Sequence, residues 1–225
     1  MSEPIILCID SSVSTASVAL AKGKILLGKK IGVEQKQHAS FLQPAIKELL
    51  NESNISMNDL SAVAVTNGPG SYTGLRIGMA TAKGLCYALN IPLITIGTLD
   101  VMASAAKEQL HSTDYLCPLI DARRMEVFTA LYNEELNTVL EPQAMVLTEN
   151  SFAEILEKNR IIFFGNGTLK WKQVCANENA VFETIQWDAS FLISLAQIAF
   201  DKKEFSSLAY ATPFYVKEFH FANSK

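Results

Sequence analysis

The chain has 225 residues, of which 49% are hydrophobic and 19% charged, and its formal net charge is −4. This composition is typical of a globular protein and excludes disorder, and the negative charge gives no long-range attraction to nucleic acid or to an anionic membrane. No apolar run approaches the roughly 20 residues that span a bilayer, and the N-terminal segment MSEPIILCID is too acidic for a signal peptide. Four scattered cysteines without C-x-x-C spacing favour free thiols in a reducing compartment, so we expect a cytoplasmic protein.

The first half of the chain predicts three strands followed by alternating helices and strands. Its strands are short apolar runs bounded by turn residues, and its first helix shows apolar residues at the spacing of one helical stripe. The predicted strands are 5–10, 14–21, 24–31, 61–66 and 92–96, and the predicted helices are 38–53, 71–90 and 98–110.

The second half repeats this order. The predicted strands are 117–121, 125–132, 138–147, 160–165 and 181–186, and the predicted helices are 149–159, 168–175 and 189–203. Both halves therefore have the order βββαβαβα, with element ends less certain than element types.

Three dipeptides support an internal duplication. Each is common enough to recur by chance, but together with the matching element order they favour a repeat. The pairs are Ile9-Asp10 with Ile120-Asp121, Ala19-Leu20 with Ala130-Leu131, and Asn67-Gly68 with Asn166-Gly167. We expect an α/β protein with the actin-like ATPase (ASKHA, RNase H-like) architecture of two duplicated lobes. The N-terminal lobe would span 1–110 and the smaller C-terminal lobe 111–225, with the last helix a candidate to cross back to the first lobe.

The stretch NGPGSYTGLRIGMATAKGL, residues 67–85, is rich in glycine at the start of a predicted helix. It contains no P-loop pattern, and it fails the dinucleotide pattern G-x-G-x-x-G because Thr73 stands where the last glycine is needed. Gly70, Gly74, Gly78 and Ala82 recur at every fourth position and so share one helix face. Because an interior glycine costs about 1 kcal/mol of helix propensity, we expect this face to permit close backbone packing. Anion binding by the loop amides at the helix N-terminus is the alternative.

Four segments resemble the bacterial TsaB (YeaZ) family: ILCIDSSVSTASVAL, NGPGSYTGLRIGMATAKGL, PLIDARRMEVFTALY and PFYVK. The resemblance covers the whole chain and implies an actin-like fold and a role in making threonylcarbamoyladenosine in tRNA. It also implies a non-catalytic subunit, a degenerate paralogue of TsaD, the subunit that carries the metal and transfers the threonylcarbamoyl group. A protein of this family binds TsaD through helices of its N-terminal lobe, helps recruit the ATPase TsaE, and meets tRNA only indirectly.

The residues themselves are consistent with a lost active site. His38, His111 and His220 lie in unrelated segments and form no i, i+4 pair, so we predict no metal site. Asp10 and Asp121 would flank the cleft between the lobes; holding Mg²⁺ through water is one interpretation, and capping their own turns is the one we favour.

Cofactor binding is likewise not expected. Ser11 follows Asp10 where phosphate-binding turns of this fold generally carry glycine. We therefore predict no cofactor, with weak binding of ATP or ADP around Asp10, Ser11 and Asp121 as the alternative. A working ATP-dependent kinase or ATPase is the rival function, and no Ser-His-Asp set supports a peptidase.

The first two helices provide the expected docking surface for TsaD. The residues predicted to bind the partner are His38, Leu42, Ile46, Leu49, Arg76, Met79, Ala80, Lys83 and Tyr87. The alternative is that the leucines and isoleucine of this set are core residues, because their helical spacing is also typical of a buried face. On the docking interpretation, replacing Leu42 or Met79 by aspartate would abolish the complex and leave the fold intact. Without TsaD the same surface would pair two copies of the chain.

Overall fold

The computed structural model describes residues 3–32, 38–110 and 114–216. The chain folds into two compact units. Unit 1 comprises Met1–His111 and Ile185–Pro213, and unit 2 comprises Ser112–Thr184 and Phe214–Lys225. No helix in the described part of the chain is long and apolar enough to cross a membrane.

Unit 1 is built on a five-stranded mixed sheet in the order β3-β2-β1-β4-β5. Strands β1 to β3 pair antiparallel, whereas β4 pairs parallel with both β1 and β5. The strands are β1 (Ile5–Asp10), β2 (Ser17–Lys22), β3 (Ile25–Ile31), β4 (Ala62–Gly68) and β5 (Leu93–Gly97), and the helices of the first half are α1 (His38–Glu52), α2 (Tyr72–Leu89) and α3 (Thr98–Leu110).

Both faces of the sheet are buried at its central strand β1, which alternates apolar side chains toward two separate cores. Leu7 and Ile9 of β1 join the core under α1 and α2. Ile6 and Cys8 face the opposite core, to which α3 contributes Val101.

Unit 2 repeats the sheet in the equivalent order β10-β9-β6-β7-β8. Its core is aromatic, with the Phe163 and Trp171 rings 4.5 Å apart between centroids. The strands are β6 (Tyr115–Asp121), β7 (Glu126–Tyr132), β8 (Thr138–Val146), β9 (Ile161–Phe164) and β10 (Ala180–Phe182), with α4 (Ala153–Leu156) and α5 (Thr168–Lys172) between them. The predicted duplication of element order is therefore confirmed.

The end of the chain returns to unit 1, the alternative that the sequence left open for its last helix. Residues 185–213 belong to unit 1, including α6 (Ile193–Lys202). Ile193 and Ala196 of this helix pack into the second core of the first sheet. Polar contacts hold the segment in place as well, since Lys29 Nζ lies 2.6 Å from Asp188 Oδ2 and the Ala189 amide donates to Ser17 Oγ at 2.9 Å.

Several elements of unit 2 are shorter than predicted. Helix α4 has four residues where a helix over 149–159 was predicted, and β10 has three where the prediction was 181–186. Phe152 adopts a left-handed backbone with φ of 60° directly before α4, which prevents the helix from beginning earlier.

Candidate functional site

The glycine-rich loop between β4 and α2 lies against the turn that follows β1. Gly68 has φ of +120°, a backbone conformation that favours glycine, and the Gly68–Pro69 peptide bond is cis. A Cβ added to Gly70 would come within 2.1 Å of the Ser12 carbonyl oxygen, and the Ser71 amide donates to that oxygen at 2.6 Å. The loop backbone therefore packs directly on the backbone of the β1–β2 turn.

The small residues of α2 continue this close approach. Ser11 Oγ donates to the Gly74 carbonyl oxygen at 2.9 Å, and a Cβ at Gly78 would lie 2.2 Å from the same Oγ. Ala82, on the same face, is fully buried in the core. The Ser71 side chain also accepts the Gly74 amide at 3.3 Å, so both the Ser71 and the Gly74 amide at the start of α2 are paired within the chain. This geometry favours close packing over anion binding.

Asp10 lies at the carboxyl end of β1 and is only 1% exposed. Its Oδ1 accepts hydrogen bonds from the Ser12 amide at 3.0 Å, from Ser12 Oγ at 2.7 Å and from Thr66 Oγ1 at 2.9 Å. Burial raises the pKa of this carboxyl group, although the three hydrogen bonds oppose the shift. The first of these bonds is an Asx turn, and the geometry is that of a turn cap. Ser12 and Thr66 were not predicted as members of the cluster, because only the folded sheet brings Thr66 to Asp10.

Replacement of Asp10 by asparagine is expected to flatten the dependence of stability on pH. Because the pKa of Asp10 is raised in the folded state, its contribution to the free energy of unfolding is most favourable below the unfolded-state pKa of 3.8. That contribution is lost as the pH rises through the folded-state pKa. Asparagine can keep the Oδ1 contacts and cannot ionise, so Asp10→Asn should gain stability relative to wild type between pH 4 and pH 7. Urea denaturation at both pH values measures the difference. A gain of equal size at the two pH values would contradict the assignment.

Asp121, the counterpart of Asp10 in the repeat, sits in a different environment in unit 2. Its Oδ1 accepts the Arg123 amide at 2.6 Å, as in the Asx turn at Asp10, and also binds the Lys170 ammonium group. Its own amide donates to Asn166 Oδ1 at 2.8 Å. Partial burial raises the pKa, but hydrogen bonds from Lys170 and from the Arg123 amide outweigh that effect, and the pKa is lowered. Asp121 is exposed, whereas Asp10 is buried.

Part of the predicted docking surface is exposed on α2. Arg76, Ala80 and Tyr87 are exposed, and Tyr87 retains 81% of its accessible surface. The Arg76 guanidinium carbon lies 4.1 Å from the centroid of the Tyr72 ring. Lys83 is only partly exposed, because its ammonium group donates to the Ala211 carbonyl oxygen at 2.9 Å.

Four residues predicted on that surface are instead core residues. Leu42, Ile46 and Leu49 of α1 and Met79 of α2 are buried in the cluster that also contains Leu7 and Ile9 of β1. The docking prediction was wrong for them, because the apolar stripe of α1 packs into the core formed by the sheet and α2. The side chain of His38, together with His111 and His220, falls outside the described residues.

Tyr210 joins the exposed surface beside Lys83, and sequence reasoning missed it. It is 85% exposed, and Lys83 also lies 3.4 Å from the carbonyl oxygen of the preceding residue, Ala209. No periodic pattern marks Tyr210, because it lies in an irregular segment after α6. Among the residues that the structure describes, no group of three His, Cys, Asp or Glu side chains is arranged to hold a metal ion.

Comparison with known proteins identifies the family. A family model described as TsaD, tRNA N6-adenosine threonylcarbamoyltransferase, matches residues 32–223. The tRNA threonylcarbamoyladenosine biosynthesis protein TsaB of Bacillus subtilis is 35% identical over 173 residues, which cover 75% of this chain and 74% of that protein. The TsaB protein of Haemophilus influenzae is 31% identical over 201 residues, which cover 88% of this chain and 74% of that protein.

Solved structures agree with this assignment. The structure named YeaZ from Pseudomonas aeruginosa has a TM-score of 0.78 at 25% identity and covers 94% of this chain and 99% of that one. An activator of 2-hydroxyisocaproyl-CoA dehydratase from Clostridium difficile, solved with bound ADPNP, has a TM-score of 0.52 at 8% identity and shares the fold alone, over 89% of this chain and 96% of that one. The two five-stranded mixed sheets and these neighbours establish an α/β fold of the actin-like ATPase type. The chain belongs to the TsaB (YeaZ) family.

Proposed function

We propose that this chain is a non-catalytic subunit in the synthesis of threonylcarbamoyladenosine in tRNA. It binds and stabilises a transferase of the TsaD type through the exposed face of α2, helps recruit TsaE, and is brought to tRNA by these partners. The names of the relatives support the pathway. The observation that carries the binding role is the α2 face, where Arg76, Ala80, Gly84 and Tyr87 are exposed along one side of the helix.

The shape of this face suits a partner that approaches closely. A Cβ added to Gly84 would meet nothing within 4 Å, so this glycine has no packing role in the chain itself. An exposed glycine within a helix costs about 1 kcal/mol relative to alanine. Its presence between Ala80 and Ala88 leaves a flat strip on which a second helix can lie.

Two tyrosines flank this strip and provide the candidate anchors. Tyr87 lies one turn after Lys83, and Lys83 binds the segment that carries Tyr210. Both rings are more than four-fifths exposed. Tyrosine is enriched at binding hot spots because it offers a large, rigid contact area with one polar atom. The two rings would bury most of their surface only in a complex.

The fold explains why one face would serve two kinds of partner. The TsaD family model itself matches residues 32–223, so the transferase shares much of this architecture. A paralogue can therefore present an equivalent helix to α2 in a pseudo-twofold arrangement. For the same reason, self-pairing through α2 is the expected association when the transferase is absent.

The burial of Asp10 supports a non-catalytic role. A carboxylate that is 1% exposed and already accepts three hydrogen bonds is poorly placed to hold hydrated Mg²⁺. We accordingly propose that the chain needs no cofactor. The rival ATP-dependent activity predicts micromolar binding and turnover of ATP with Mg²⁺ by the isolated protein, which calorimetry and a phosphate-release assay would detect.

Replacement of Tyr87 by aspartate should weaken the complex with the cognate transferase by at least about 100-fold. Loss of a buried aromatic anchor typically costs about 2–4 kcal/mol, and an unpaired carboxylate in the interface adds to that cost. Calorimetric titration of the transferase into the purified variant measures the effect. The melting temperature should not change, because the Tyr87 side chain is largely solvated.

Val139→Asp is the matched control for this experiment. Val139 is an exposed apolar residue of β8 in unit 2, and its replacement introduces the same charge on the unit that does not carry α2. It should bind the transferase as wild type does. Equal affinity of wild type and Tyr87→Asp would refute the α2 interface, and failure of the wild-type chain to bind would refute the function itself.

A further inference from the structure

We propose that the turn between β6 and β7 binds phosphate groups of the RNA backbone. The choice of tRNA as the source of those phosphates rests on the proposed function. The turn carries the sequence Ala122-Arg123-Arg124-Met125 in unit 2. It lies on a different unit from the proposed α2 interface.

The turn holds two consecutive arginines in a backbone conformation that suits glycine or asparagine better. Arg123 has φ of 72° and Arg124 has φ of 51°. A left-handed residue other than glycine, asparagine or aspartate costs roughly 1–2 kcal/mol, so stability alone does not explain arginine at both positions. Cross-turn hydrogen bonds fix the conformation, from the Ala122 amide to the Glu126 carbonyl oxygen and from the Glu126 amide to the Arg123 carbonyl oxygen, both at 3.1 Å.

The two guanidinium groups remain available for a ligand. Both side chains are exposed, and among the described residues neither guanidinium makes a hydrogen bond or a close ion pair. The nearby carboxylate of Asp121 interacts with Arg123 through space, but its direct partner is the Lys170 ammonium group. Lys170 also donates to the Glu126 carbonyl oxygen at 3.1 Å, so it is held close to the turn.

The turn borders a surface depression that could admit a phosphate group. Its volume is about 590 Å³, and it is lined by Ala122, Arg123, Arg124, Met125, Glu126 and Val146. The charged groups that line it or contact its lining residues include Arg123, Arg124, the Asp121–Lys170 pair and the Glu126 carboxylate. The balance is positive, in contrast to the chain as a whole at −4.

An RNA backbone fits this site better than a free nucleotide. Nucleotide pockets enclose most of their ligand and stack or hydrogen-bond the base, whereas this depression opens to solvent and its arginines stand on an exposed turn. Paired arginines bind phosphate oxygens in forked geometry without reading a base. The site would thus position an RNA chain and leave its sequence to other contacts.

The test measures tRNA binding by the complex of this chain with its cognate transferase, over a series of salt concentrations. Arg123→Ala/Arg124→Ala should weaken binding of a tRNA transcript about tenfold near 0.1 M salt. It should also reduce the slope of log K against log salt concentration by about 1.4 to 1.8, since each lost phosphate contact contributes roughly 0.7 to 0.9. Arg123→Lys/Arg124→Lys keeps both charges and should recover most of the slope.

Lys158→Ala/Arg160→Ala is the control, because it removes two exposed positive charges from the same unit. An equal loss of tRNA affinity in this control would show that the effect depends only on net charge, and the proposed phosphate site would be refuted. Unchanged tRNA binding by Arg123→Ala/Arg124→Ala would also refute the site. If this variant lost ATP or tripolyphosphate binding but kept tRNA binding, the ligand would be a nucleotide and the proposal would fail. If that variant no longer binds the transferase, the turn is a protein interface and the proposal fails.

Failure of the proposed function would be recognised separately. The wild-type chain would then not bind the transferase, and the tRNA series would be run on this chain alone, where the same differences between variants decide the phosphate site.

Discussion

Gly70→Ala is expected to destabilise unit 1 by about 3 kcal/mol. The added methyl group would overlap the Ser12 carbonyl oxygen, which lies 2.1 Å from the Cβ position. That oxygen belongs to the backbone and accepts the Ser71 amide, so it cannot move without breaking the contact between the loop and the β1–β2 turn. Overpacking at a buried backbone contact costs about 1–3 kcal/mol, and here no flexible side chain can relieve it.

Gly84→Ala is the matched control and should act in the opposite direction. The same methyl group at Gly84 meets no atom within 4 Å, so only helix propensity changes, and alanine should stabilise α2 by about 1 kcal/mol. Thermal or urea unfolding of the two variants measures both effects. Similar stability of Gly70→Ala and wild type would show that the loop does not depend on this contact.

This pair of glycines shows how far the sequence could predict the site. Spacing at every fourth residue predicts one helix face for Gly74 and Gly78, because helical geometry depends only on local sequence, whereas Gly70 lies in the loop before α2. It could not show that the opposing group is the turn after β1, since that turn is remote in the chain and is brought close by the parallel pairing of β1 with β4.

The same limit applies to the fold. The order of strands and helices in both repeats follows from hydrophobic period and turn residues, which are local signals. The position of α6 does not follow from local signals, because an amphipathic pattern shows that one face of the helix is buried but not which sheet covers it. Its attachment to unit 1 depends on the packing of Ile193 and Ala196 against the first sheet, whose strands are far away in sequence.

The docking surface divides in the same way. Tyr87 and Ala80 were predicted on it and are exposed, whereas Leu42 and Met79 were predicted on it and are buried. A stripe of apolar residues on α1 can be buried in the core or contact a partner protein. The width of the sheet beneath the helix determines how much of the stripe is buried. The exposed side of α1 is instead polar, with Glu48 and Glu52 binding Lys30 of β3.

Leu42→Asp is therefore expected to unfold unit 1 rather than to remove a binding contact. Leu42 is fully buried among Leu7, Ile9 and other apolar side chains, and none of the buried residues in the described part of the chain is a lysine or arginine that could pair with a carboxylate. Loss of the leucine alone costs about 2–5 kcal/mol, and burial of an unpaired charge adds more. The total is comparable to the stability of a typical domain, so the variant should lose its cooperative unfolding transition.

Gln43→Asp, at the adjacent exposed position, isolates this effect. It introduces the same aspartate on the solvent side of α1 and should change the free energy of unfolding by no more than about 0.5 kcal/mol. Circular dichroism and urea unfolding compare the two variants, and a folded Leu42→Asp protein would contradict the burial of this residue. Any loss of transferase binding by Leu42→Asp then reports unfolding, whereas loss by Tyr87→Asp in a folded protein reports the interface. Only an exposed residue can distinguish a docking surface from the core that supports it.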